Sequence, residues 1–133
     1  MKNPRILFFL PLAFLLFSCS HDQHSHAGGA VQLNKGQKWM ANPETTEGIA
    51  KMQTLVEMYL TRDSADIKTL RSGLETEFST IFAKCTMEGE AHEQLHNYLL
   101  PLKDKLKALD EQAGTHEVEA IKAYLFTFSN YFE

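Results

Sequence analysis

The chain has 133 residues, a formal net charge of −4, two cysteines and six histidines. That length holds one domain, and two cysteines cannot staple a disulfide-dense mini-protein. The acidic balance excludes the basic face of a nucleic-acid binder. Apolar residues make up 44% of the chain and charged ones 23%, the balance of a globular domain rather than a disordered one.

Residues 1–18 read as an address. Lys2 and Arg5 precede an apolar run from Ile6 to Phe17. The run is too short to span a bilayer and has the size of a signal-peptide core. It ends in Leu16-Phe17-Ser18-Cys19, which resembles a bacterial lipobox. By that resemblance the chain is cut before Cys19 and Cys19 is lipidated. An ordinary secretory signal is the alternative. Lipidation leaves Cys85 as the one thiol, in a compartment where it is buried, metal-bound or paired with another molecule. Localisation is then the bacterial cell envelope, lipid-anchored and facing the periplasm.

Residues 19–38 read as a flexible tether. Its start, Ser20 to Gly29, is polar and Gly-ended and holds His21, His24 and His26. Such a tract either chelates transition metals loosely or serves as a solvated linker. Residues 39–133 read as one all-α domain. Asn42-Pro43 fits a helix cap followed by Pro at the first helical position. A stripe of Ile49, Met52, Val56 and Leu60 follows. The second stripe, with Asp63 or Ser64 as cap, is Ile67, Leu70, Leu74, Phe78, Ile81 and Cys85. The third is Leu95, Leu99, Leu102, Leu106 and Leu109. The fourth, capped near Gly114-Thr115, is Val118, Ile121, Leu125, Phe128 and Phe132. Spacings of three and four with short connections predict an up-down-up-down four-helix bundle. Pro101 either kinks the third helix or splits it in two. That topology collects Trp39, Met40, Cys85, Met87, His92, His96, Tyr131 and Phe132 at one end and leaves His116 at the other. The terminal aromatics Tyr124, Phe126, Phe128, Tyr131 and Phe132 form a partner surface or pack the bundle end.

Cys85, Met87, His92 and His96 fall within twelve residues around one helix–helix turn, with Gly89 to bend it. At about 100° per residue, Cys85 faces the core, and His92 and His96 share one edge of their helix, one turn apart. Thiolate and imidazole suit soft or borderline cations. With the Met87 thioether the set favours Cu(I). Without it, Cys85 and two imidazoles plus an outside ligand suit tetrahedral Zn²⁺. The expected function is membrane-anchored metal buffering, sensing or transfer, with metal-efflux or metallochaperone proteins as partners. A ligand-free, partner-binding lipoprotein is the alternative, followed by a non-covalent haem bundle using Met52 or Met87 with His92 or His96.

His92-Glu93-Gln94-Leu95-His96 also spells the HExxH of zinc metalloproteases. Those domains carry a sheet that aligns the substrate, and here four helices consume the chain. No third motif ligand follows His96, and Glu93 points away from the core stripe. The match is read as non-catalytic, and no enzyme activity is expected.

The stretch from Ile81 to Pro101 resembles small bacterial periplasmic lipoproteins that carry a C-T-M-x-G-x-x-H-x-x-L-H block. Here it reads Cys85-Thr86-Met87, Gly89, His92, Leu95-His96, with Leu99 and Pro101 beyond. Trp39 and Asn42 also look like that group, so the resemblance covers roughly Trp39 to Leu109. It implies a helical periplasmic domain linked to heavy-metal handling and no catalytic residue. In that group the residue after the first His need not be Glu.

Overall fold

The computed structural model describes residues 29–62 and 66–133. Cys19, the expected lipidation site, and His21, His24 and His26 lie outside the described residues, as do Asp63 and Ser64. The described chain is all-α: α1 (Pro43–Leu60), α2 (Ile67–Lys84), α3 (Gly89–Lys107), α4 (Thr115–Phe126) and the single turn α5 (Phe128–Tyr131). Beyond these, the described residues hold only isolated backbone bridges.

The helical stripes supply the core. Met52, Val56, Leu74, Ile81, Leu102 and Leu125 are fully buried, and Trp39 to Phe132 bound one continuous apolar cluster. The described residues thus share one continuous core. α1 packs against α2 and α4, and α3 against α4. The seam between α2 and α3 is the loosest of the four and leaves an open groove. α1 and α2 approach closely at Gly48, where any side chain would meet fully buried Ile81.

Capping departs from the expected pattern at α2. Its cap is Asp66, whose carboxylate accepts from the Lys68 and Thr69 amides. At α1, Pro43 takes the first helical position and Asn42 the cap, but the Asn42 side chain is spent elsewhere. Its amide donates to the Lys84 carbonyl at 3.2 Å and to Glu44, and its oxygen accepts from the Thr45 hydroxyl. The start of α1 is thereby fastened to the end of α2. α3 runs unbroken through Pro101, so the two-helix reading of that segment does not hold. The fourth stripe is not one helix: Thr127 separates α4 from α5, its hydroxyl donating to the Tyr124 carbonyl at 2.7 Å.

The tether expected through residue 38 has an ordered last part. The Gln32 amide donates to Gln94 of α3, and Trp39 Nε1 donates to the Gln32 carbonyl at 2.6 Å. Asn34 and Gln37 exchange two backbone hydrogen bonds around Lys35 and Gly36. Both central residues have positive φ, as a two-residue type I′ turn requires. Trp39 then pairs with the C-terminal residues: its amide donates to the Tyr131 carbonyl, and Glu133 donates back to the Trp39 carbonyl. Most terminal aromatics pack inward. Phe128 and Phe132 are buried and stack on each other, while Phe126 stays exposed.

Candidate metal centre

The turn between α2 and α3 positions the candidate donors. α2 ends at Lys84, and Cys85 follows in extended backbone as its C-terminal cap residue. Gly89 opens α3 with φ of +60°, the left-handed conformation the tight reversal needs and that side chains disfavour. Three residues later His92 lies on the first turn of α3, with His96 one turn on.

The three donors meet, but as a chain. Cys85 Sγ lies 3.5 Å from His92 Nδ1. His92 Nε2 lies 3.0 Å from His96 Nε2. The two rings stand edge-to-face, 4.5 Å apart. His92 therefore presents one nitrogen to the sulfur and the other to its neighbour. The two nitrogens are on opposite sides of one rigid ring, so no single ion reaches Cys85, His92 and His96 in this arrangement. Among the described residues no group of three or more His, Cys, Asp or Glu is arranged to hold a metal ion. The three-donor chelate expected from the spacing is replaced by a relay.

The relay has two self-consistent proton arrangements. In one, the Cys85 thiol donates to His92 Nδ1 and His92 Nε2–H donates to His96. In the other, His96 Nε2–H donates to His92 Nε2 and His92 Nδ1–H donates to the Cys85 sulfur. Burial, followed by the repulsion of His92, holds the His96 pKa below the ordinary imidazole value. Phe82 of α2 closes the outer side, its ring edge-on to His96 at 5.6 Å.

The other candidates sort by position. Met87 is half-buried and packs against the core beside Cys85. Met40 points to solvent, 70% exposed, and does not join the cluster. Met52, weighed as a haem ligand, is sealed in the core. Glu93 is exposed, as its place on the helix predicts. Tyr98, which the stripe counting passed over, is buried at the centre of this half of the domain. Its hydroxyl donates to the Tyr124 and Leu125 carbonyls, and its ring stacks on Tyr124. Burial pushes the Tyr98 hydroxyl well above its ordinary pKa and that of Tyr124 up to about 12, so both stay neutral donors. The spacing of Tyr98 from Leu95 and Leu102 is the helical signal that could have found it.

Comparison with family models, with curated proteins and with solved structures finds no match to this chain.

Proposed function

We propose that this protein is a lipid-anchored, periplasm-facing helical lipoprotein that binds Cu(I) or Zn²⁺ as cargo at the α2–α3 turn. The observation carrying this reading is the unbroken Cys85–His92–His96 contact chain. The Cys85 Sγ to His92 Nδ1 gap of 3.5 Å is the edge expected between thiolate and imidazole ligands of one ion, about 3.5–3.6 Å for bonds of ~2.3 and ~2.05 Å at a tetrahedral angle. In this role His92 binds through Nδ1. Its Nε2–H donates to His96, which fixes the tautomer and the ring, as partners behind metal-bound histidines do. His96 is then a positioning residue. Remaining positions fall to Met87 or to a donor from outside. An open site of this kind suits an ion that is handed on, to a metal-efflux or metallochaperone protein, rather than locked away. The up-down-up-down order fits this reading, since Asn42 to Lys84 and Trp39 to Glu133 join the ends that such an order brings together.

The second reading is a ligand-free, partner-binding lipoprotein, favoured by the absence of a converging three-donor group among the described residues. Anaerobic titration of residues 30–133 with Cu(I) and with Zn²⁺ separates the two. Binding at one equivalent that collapses in Cys85→Ser/His92→Ala supports the metal reading. Equal affinity in the double variant ends it.

A further inference from the structure

The loose α2–α3 seam holds a groove of about 760 Å³ that the metal reading does not use. Its floor is Phe78, Phe82 and Ala83 of α2 with Leu106 of α3. Phe82 is 41% exposed, a large aromatic side chain with much of its surface turned to water. The volume lies within the range of small-molecule pockets, roughly 300–1,000 Å³, and the pattern of apolar walls with a few polar groups is theirs too.

The polarity of the groove runs along its length. α2 and α3 run past each other in opposite directions, Phe82 meeting His96 and Arg71 meeting Leu109, so Lys103 and Lys107, one turn apart, fall at the Glu75 end of the groove. Glu75 is already engaged by Arg71 at 2.8 Å. Lys107 reaches only Asp104 of its own helix, at 3.6 Å, and Lys103 makes no ion pair among the described residues. The other end is apolar: Phe82 there meets the His96 ring. An amphipathic helix would need charge along both lips and an apolar strip between them. Here two cations stand at one end, and the apolar wall of Phe78, Phe82 and Ala83 beyond them spans about 7.5 Å, five residue steps of α2 at ~1.5 Å each. That is head-to-tail polarity, the pattern of a single-chain amphiphile.

We infer that the α2–α3 groove binds a free fatty-acid anion, its carboxylate held by Lys103 and Lys107 and its chain lying over Phe78 and Phe82 toward His96. The inference does not depend on metal binding. It rests on the groove alone.

The test uses the full chain in detergent and the probe 11-(dansylamino)undecanoic acid. Saturable dansyl enhancement, reversed by dodecanoate and at least tenfold less effectively by dodecanol, is the expected result. Lys103→Gln/Lys107→Gln changes only exposed side chains and is expected to weaken binding at least tenfold with a cooperative melting transition retained. Phe82→Ser is expected to weaken it similarly. Absence of saturable binding to millimolar probe overturns the proposal. So does equal affinity of dodecanol and dodecanoate, or unchanged affinity in both variants. An acidic amphipathic peptide that binds the groove where dodecanoate does not would also overturn it, in favour of a helix partner.

Discussion

Gly48 is the sharpest test of how α2 is held, and so of what positions Cys85 one turn beyond Ile81. A Cβ on Gly48 would stand 2.5 Å from Ile81 Cγ1 and 2.9 Å from its Cδ1. Carbon atoms in good contact sit about 3.5–4.0 Å apart, so the overlap is about 1 Å. Ile81 is fully buried and cannot swing away. Gly48→Ala gains about 0.5–1 kcal/mol of helix propensity. Against that, overpacking a tight core costs about 1–3 kcal/mol. The clash wins by up to about 2.5 kcal/mol, a fall in Tm of up to roughly 10–20 °C at about 4–8 °C per kcal/mol for a domain near a hundred residues. Gly73→Ala on α2 is the control. Its Cβ would have as nearest neighbours the Cδ1, Cδ2 and Cγ atoms of half-buried Leu55, at 3.1, 3.6 and 3.9 Å, and only the first is tight, at the end of a side chain that can give way. Propensity should win there, leaving the domain equally stable or up to about 1 kcal/mol more stable. Urea unfolding of both variants, monitored by circular dichroism, measures the difference. Ile81→Val removes one clashing methyl and should cost less in the Gly48→Ala background than its usual 0.5–1.5 kcal/mol alone, roughly. A Gly48→Ala protein as stable as Gly73→Ala would refute the idea that this contact sets the helix spacing.

Other expectations follow from single groups. Tyr98→Phe should cost only about 1 kcal/mol in a denaturant melt, the low end for a buried hydroxyl. Its two acceptors keep other donors, since Gln53 also serves the Leu125 carbonyl and Thr127 the Tyr124 carbonyl; a loss beyond about 3 kcal/mol would contradict this. His96 titrates below its unfolded value of about 6.5. Above that pH both states hold it neutral and the fold is fully stable; as pH falls below it the unfolded chain takes the proton first, and stability drops until His96 itself protonates. Urea midpoints should therefore fall between pH 7.5 and 5.5, with a smaller fall in His96→Gln. Pro101→Ala returns an amide to the Asn97 carbonyl within an unbroken helix, so the thermal midpoint should rise, by about 1–3 kcal/mol in stability terms.

The helical stripes were legible because burial imposes a 3.6-residue period wherever one face meets a core. Ile49, Met52 and Val56, Leu70 and Leu74, Leu95 to Leu106, and Val118 to Leu125 all land inside. What stayed hidden depends on partners far along the chain. Gln32 pairs with Gln94, and Trp39 with Tyr131 and Glu133, and no local pattern carries such information. Only the Lys35-Gly36 turn had a local signal, a glycine where φ must be positive. Asn42 was readable as a cap by residue type, yet its side chain bridges to Lys84 because the end of α2 happens to present an open carbonyl there. The break at Thr127 has no proline or glycine to announce it.

The candidate site was half legible for a related reason. Spacing of four on a helix brings two rings together, and it did, at 4.5 Å. It does not say which ring nitrogen faces which neighbour. Cys85 adds a second uncertainty, since it lies past the end of α2, where helical angles no longer apply. The sulfur reaches His92 Nδ1 instead of the gap between the imidazoles. This distinguishes a chelate from a relay by experiment. If His96 were a ligand, both His96→Ala and His96→Gln would lose metal as severely as Cys85→Ser, because an amide is a poor ligand for soft ions. If His96 only accepts the His92 Nε2–H, His96→Ala should lose about ten- to a hundredfold in affinity, the scale of an outer-shell partner. His96→Gln keeps an acceptor oxygen near the same place and should recover most of that loss. Anaerobic competition titrations of the three variants read the pattern directly. Failure of glutamine to rescue, with losses equal to those of Cys85→Ser, would return His96 to the coordination sphere and require His92 to turn on binding.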